Sequence, residues 1–303
     1  MDGFPSLPAD SSSSTYTSQS AYRAEGEVFP PVGGPVPVPE FAPGEAGAER
    51  SGSSGSSGGK RRSLDLFTAP GTYLLVGINC AVFLWMVMHG VSAQSPTSDD
   101  LVHFGATNVR LMLLHGQWYR LLTAIFVHVG WIHLATNMWC LWNLGLLGEP
   151  LLGPYGLIAV YVLTGAAGNL LSMAVNVFLR DYNAVGAGAS GAVFGIAGIL
   201  IVLLSNKRLP IPWSELQRLR RSVIQFAVLN LIIGGATMIP GLQVVRIDNM
   251  AHVGGFLSGL GLGVPLVPRM TAGRQRYLAR QKLTFVGAAL LLSLFGYWIA
   301  NLG

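Results

Sequence analysis

A handful of residues in this sequence could together do acyl-transfer chemistry. Ser190 sits in Gly188-Ala-Ser190-Gly191, His252 in Asp248-Asn-Met-Ala-His252-Val-Gly-Gly255, and His133 and Asn137 stand four residues apart. A serine hydroxyl is a poor nucleophile until a base takes its proton, and histidine titrates near neutral pH. The tetrahedral intermediate of acyl transfer needs donors where its oxyanion develops. His133, Asn137 and the backbone N–H of Ser190 are candidates. Asp248, four residues before His252, falls at the mouth of its segment and reads as solvated, so the expectation is a dyad rather than a triad. Each group also has a plainer reading. Gly-Ala-Ser-Gly is ordinary small-residue packing, His252 could be a packed histidine bonded to a carbonyl, and His133 with Asn137 could tie two helices together.

The segments that carry these residues decide between the readings. Of 303 residues, 51% are apolar and 11% charged, against about 25% charged in soluble domains. The apolar residues gather in long runs after residue 70. Seven candidate spans follow, at about 71–91, 123–147, 151–178, 187–205, 222–240, 249–268 and 282–301, each near the ~20 residues that cross a bilayer core. This predicts an all-α polytopic membrane protein. The fourth span is Gly-rich and the fifth carries Asn230, so both need shielding from lipid. Ser214-Glu-Leu-Gln217 has a capping-box pattern and predicts a short helix leading into the fifth span. The long loop at about 92–121 is partly apolar and suits the membrane interface.

Residues 1–69 are different. They are rich in Ser, Pro and Gly and are expected to be a disordered cytoplasmic tail. The tail lacks the apolar core of a signal peptide, and its acidic residues argue against an organelle transit peptide. The first span is therefore expected to act as the insertion signal, and the bacterial plasma membrane is the expected location. Cys80 and Cys140 lie inside apolar runs and read as small buried hydrophobes. No metal-ligand spacing is present, and no metal or other cofactor is expected.

Loop charge sets direction. Lys60, Arg61 and Arg62 precede the first span, Lys207, Arg208, Arg218, Arg220 and Arg221 separate the fourth and fifth, and Arg269, Arg274, Arg276, Arg280 and Lys282 separate the sixth and seventh. A cytoplasmic N-terminus puts all of these inside and leaves Arg110, Arg120, Arg180 and Arg246 outside. Short basic clusters between apolar runs orient spans and do not grip nucleic acid. Spans two, four and six then run from outside to inside. His128, His133 and Asn137, then Ser190, then His252 fall at the outer ends of three helices, at one depth. Structural polar contacts would not require that convergence. Gly191 and Gly195 on one span, and Gly255, Gly259 and Gly263 on another, form small-xxx-small faces that allow the close approach a Ser190–His252 pair needs.

At these residues the chain resembles the rhomboid family of intramembrane serine proteases. Gly188-Ala-Ser190-Gly191 resembles its GxSG motif. Ala251-His252 with Gly254-Gly255 resembles its AH-x-GG motif, and His133-Leu-Ala-Thr-Asn137 its H-x-x-x-N motif. Gly116-Gln-Trp118-Tyr119-Arg120 resembles its Trp-Arg loop motif, with Tyr119 where tryptophan is commoner. The resemblance covers about residues 70–268. It implies a six-helix catalytic bundle, with residues 269–303 adding a basic loop and a seventh transmembrane helix. It further implies Ser190 and His252 as the dyad, and His133, Asn137 and the Ser190 N–H as the oxyanion site. Gly188, Gly191 and Gly255 support that site, and Phe194 packs on the histidine. The implied partners are the lipid bilayer and membrane-protein substrates with a transmembrane segment, cleaved near the outer face. A substrate helix hides its carbonyls in its own hydrogen bonds and must unwind to be cut, so weak helix formers are expected at the site.

Other classes fit less well. A transporter often shows internal repeats, and none is visible. A membrane metalloprotease needs H-E-x-x-H, which is absent, and the spans hold no pair of aspartates for an aspartyl protease. A catalytically inactive rhomboid-like binding protein is the alternative, although such relatives lack the serine or the histidine.

Overall fold

The computed structural model describes residues 69–207, 209, 211–236, 248–267 and 273–301. The expected tail lies outside these residues except for Ala69, as do Arg208, Arg246 and Arg269. The described chain is mostly helical. Its order is α1 (Pro70–Met88), α2 (Ser98–His103), β1 (Thr107–Asn108), α3 (Val109–His115), α4 (Arg120–Thr123), α5 (Trp131–Leu152), α6 (Pro154–Phe178), β2 (Val185–Gly186), α7 (Ser190–Leu203), α8 (Trp213–Ala236), α9 (Asn249–Leu266) and α10 (Arg274–Ala300). By length and composition α1, α6 and α10 can cross a membrane. Leu283, Leu290, Leu291, Leu294 and Tyr297 stay exposed along α10, as expected of a face that meets lipid. The chain is an integral membrane protein.

Buried polar groups fix the helices to one another. α1 opens on Pro70, which has no N–H to satisfy, and Ala69 offers no side-chain cap. Glu149, near the end of α5, supplies it. Its carboxylate accepts from the N–H groups of Gly71 and Thr72, each at 2.8 Å, and from the Thr72 hydroxyl at 2.7 Å. These are orphan donors of a helix N-terminus, and Glu149 is only 3% exposed. Halfway along α1, Asn79 donates to the buried Tyr161 hydroxyl of α6 at 2.9 Å.

Helix α7 lies at the centre, with Ile196, Ala197, Ile199, Leu200 and Leu203 fully buried. Its seam with α9 is made of glycine. A Cβ on Gly255 would collide with the Gly191 carbonyl, one on Gly259 with the Gly195 carbonyl, and one on Gly263 with Val202. At Gly255 and Gly259, with no side chains between them, the two backbones touch.

Several boundaries differ from expectation, each for a physical reason. The second span starts at Trp131, not 123, because Gly130 (φ +89°) breaks the chain direction; His128 therefore precedes the helix. The fourth starts at Ser190, not 187, because Val185–Gly186 pair antiparallel with β1 and Gly188 takes φ +134°. At 14 residues, α7 is about 21 Å long, well short of the ~30 Å hydrocarbon core. Ser214 caps no separate helix: α8 already begins at Trp213 and runs unbroken to Ala236. Residues 237–240 of the fifth expected span lie outside the described residues. The basic stretch before the last span is itself helical from Arg274.

The loop between α1 and α5 is built, not loose. Arg120 is 6% exposed. Its guanidinium donates to Gln117 Oε1 at 2.7 Å and to the carbonyls of Val102 and Ala106 at 2.6 and 2.9 Å. Thr97 and Asp100 close a capping box at the start of α2, and the Thr97 hydroxyl and N–H hold the Asp100 carboxyl below its ordinary value.

Candidate active site

Ser190 is the first residue of α7. The preceding turn places it there. The Gly188 N–H donates to the Ala124 carbonyl at 2.9 Å, and its positive φ is a conformation side chains rarely adopt. A Cβ at 188 would also stand 2.7 Å from His133 Cε1, so glycine is required twice over.

His252 lies in the first turn of α9 and is 4% exposed. Its ring stacks on Phe194, with centroids 4.4 Å apart and planes inclined at 16°. Phe194 is four residues after Ser190, one turn along α7.

His133 and Asn137 share one face of α5. Asn137 donates one amide hydrogen to the His133 carbonyl at 2.9 Å and keeps a second. The Val129 N–H donates to His133 Nδ1 at 3.4 Å. In a neutral ring that leaves the proton on Nε2, making Nε2 a donor. The His128 ring lies 5.4 Å from that of His133. His128 is fully buried, and its Nε2 has no hydrogen-bond partner among the described residues.

A cavity of ≈ 90 Å³ gathers Ser190, His252, His133, Asn137 and Phe194 into one wall. A smaller one of ≈ 70 Å³ touches Ser190, His133 and Gly188 from the other side. Gly191 and Gly255 lie outside the larger cavity and meet each other in the seam. The expected Ser190–His252 hydrogen bond is not formed: among the described residues neither side chain bonds the other, and His252 Nδ1 has no partner. The two residues face a common space without closing on it. Among the described residues no group of three or more His, Cys, Asp or Glu is placed to hold a metal ion.

Two features escape the sequence reading. Phe226 and Asn230 of α8, with Thr136 and Cys140 of α5, complete the larger cavity. The signal for α8 was present, since Asn230 is polar inside an apolar run and stands four residues from Phe226, on one face. Asp248 is also not the solvated carboxylate expected. It is half-buried, caps α9 by accepting from the Ala251 N–H at 3.0 Å, and accepts a hydrogen bond from the Ser172 hydroxyl of α6. Nothing in the sequence pairs residues 172 and 248.

The family model described as Rhomboid domain matches residues 115–269. The chain is 33% identical over 199 residues to Rhomboid protease GluP of Bacillus subtilis, covering 64% of this chain and 35% of that protein. It is 31% identical over 237 residues to Rhomboid protease AarA of Providencia stuartii, covering 73% and 79%. It is 32% identical over 212 residues to RHOMBOID-like protein 2 of Arabidopsis thaliana, covering 65% and 61%. The chain thus spans about a third of the Bacillus relative and under two thirds of the plant one. With both bacterial and plant relatives, the similarity gives no preference for a bacterial plasma membrane.

Proposed function

Because the chain belongs to the rhomboid family, we propose that it is an intramembrane serine endopeptidase with Ser190 as nucleophile and His252 as general base. The observation that carries this reading is the single cavity lined by Ser190, His252, His133 and Asn137, which three separate helices contribute. The wider architecture belongs to the same proposal: a six-helix core at 70–268 and a seventh helix after it, with the N-terminus inside.

The chemistry would run as follows. His252 takes the Ser190 hydroxyl proton while Oγ attacks the scissile carbonyl carbon. The carbonyl oxygen becomes an oxyanion, met by His133 Nε2–H, the free Asn137 N–H and the Ser190 backbone N–H. His252 then gives its proton to the leaving amine, and an acyl-enzyme remains. Water, losing a proton to His252, attacks the ester carbonyl, and Ser190 Oγ leaves as His252 returns that proton to it, freeing the carboxylic acid product. Catalytic hydrogen bonds are often unformed before substrate arrives, which fits the open Ser190–His252 pair. A substrate helix hides its carbonyls in its own hydrogen bonds, so a membrane-protein substrate must feed an unwound stretch into the cavity.

The test is direct. Purified wild type, Ser190→Ala, His252→Ala and the double variant are incubated with labelled single-span substrates. Each single variant is expected to lower turnover by roughly 10³-fold or more, and the double variant little further, because the pair acts as a unit. A fluorophosphonate should label wild type and not Ser190→Ala. Cleavage by Ser190→Ala at the wild-type rate would end this reading. No cleavage and no labelling by wild type would favour an inactive membrane-protein-binding relative.

A further inference from the structure

Among the described residues no carboxylate orients His252 through its second ring nitrogen, since Nδ1 has no hydrogen-bond partner there. The ring is held by its stacking on Phe194 and by the backbone of the turn that carries it. That turn is pinned at three points. Gly168 of α6 lies against the Ala251 carbonyl: a Cβ there would stand 2.5 Å from that oxygen. Gly191 of α7 faces the same carbonyl, at 3.2 Å from its Cβ position. The third point is Asp248. Its Oδ1 accepts from the Ala251 N–H at 3.0 Å, its Oδ2 accepts from the Ser172 hydroxyl, and its main-chain carbonyl accepts from the His252 N–H at 3.3 Å. Asn176 steadies Ser172 in turn, donating to its Oγ at 3.4 Å.

Capping a helix needs one acceptor oxygen, and a solvated aspartate would provide it equally well. The second oxygen does something else. It draws a half-buried carboxylate, which no basic side chain pairs among the described residues, onto a hydroxyl of a different helix. The effect of that contact is to fix where α9 starts relative to α6. The residue so fixed lies four positions before His252, one turn away.

We infer that Asp248, tethered by Ser172, is a positioning residue for His252, setting the first turn of α9 so that the imidazole meets the Ser190 hydroxyl. This rests on the proposed dyad. Asp248 acts by accepting hydrogen bonds. A misplacement of about 1 Å in a catalytic group can cost about 100-fold in rate, so a small shift of this turn is enough to matter.

The experiment compares wild type with Asp248→Ala, Asp248→Asn, Ser172→Ala and the double alanine variant, all in the full chain. It reads kcat, KM, the rate of fluorophosphonate labelling and the melting temperature. Asp248→Ala and Ser172→Ala should each lower kcat and the labelling rate by about 10- to 100-fold while KM stays nearly constant. Asp248→Asn should recover to within a few-fold, because asparagine caps as well as aspartate and its Nδ2–H can donate to the Ser172 hydroxyl, which accepts as well as it donates. The double alanine variant should be no slower than Asp248→Ala, since the two side chains form one contact. Should Asp248→Ala fail to fold, Ser172→Ala keeps the cap and carries the test. Labelling of both alanine variants at the wild-type rate would overturn the inference, as would asparagine being as damaging as alanine. Failure of wild type to label at Ser190 would instead overturn the dyad itself.

Discussion

Replacing Glu149 by glutamine changes almost no atoms and should cost the fold several kcal/mol. The carboxylate accepts three hydrogen bonds of 2.7–2.8 Å from the first turn of α1 and is 3% exposed. Hydrogen bonds to a charged group contribute roughly 1.5–3 kcal/mol, against 0.5–1.5 for neutral ones. Losing the charge thus costs about 1 kcal/mol per bond. Glutamine also turns one acceptor into a donor, aimed at a donor of Gly71 or Thr72. A buried donor left unsatisfied costs about 1–3 kcal/mol more. The favourable pairing of a negative charge with the helix N-terminus is lost as well. Relief from burying a charge offsets part of this, leaving a net loss of about 2–4 kcal/mol. By the scaling of soluble domains of this size, 2–4 °C per kcal/mol, the midpoint should fall by roughly 4–16 °C. Cys140 is buried, whereas Cys80, expected to be buried, is exposed on α1, so in a Cys80→Ser background a thiol-reactive dye in detergent reports the transition. Asn137 is twelve residues away on α5, about 18 Å along the helix, so kcat well below the midpoint should be unchanged. Unfolding of Glu149→Gln at the wild-type temperature would refute the reasoning and mean that α1 does not depend on this cap.

Other predictions bear on the site and its frame. Asn137→Ala should lower kcat by about 10²- to 10³-fold, the usual loss for one oxyanion donor, with the melting temperature nearly unchanged; a lower melting temperature with unchanged kcat would make Asn137 helix glue. Gly259→Val should prevent folding or lower the melting temperature sharply, because its Cβ would occupy the Gly195 carbonyl, whereas Gly261→Val, where a Cβ meets open space, should be tolerated in the same thermal assay. Alkaline phosphatase fused after Gly303 should be active in a bacterial host and one fused near residue 210 silent, and the reverse pattern would invert the proposed topology.

What could be read from the sequence was whatever repeats along a helix or stands out from lipid. Apolar runs locate the long helices, and glycines four apart foretell the α7–α9 seam. Polar residues at one depth pick out Ser190, His252, His133 and Asn137, and the structure puts these four on one cavity. What could not be read depends on single backbone angles and on contacts between distant residues. The positive φ of Gly188 and Gly130 shortens two expected spans and moves Ser190 to a helix terminus. Glu149 sits at a break between apolar runs, where a carboxylate looks like a loop residue, yet it caps a helix 77 residues away in sequence. Asp248 was read as solvated because its partner, Ser172, is an unremarkable serine on another helix. Cavity walls such as Phe226 and Asn230 need a neighbouring helix to give them meaning.

The glycine seam between α7 and α9 has an evolutionary consequence. Most protein interfaces can be retuned by exchanging one side chain for another of similar volume. At Gly255 and Gly259 this one has no side chains to exchange, so nearly every substitution at either adds atoms where backbone already stands. The approach of α7 to α9 is therefore expected to resist gradual change at these two glycines. Phe226 and Asn230 of α8, which also line the cavity, present side chains of adjustable size and polarity, so variation is expected to enter there.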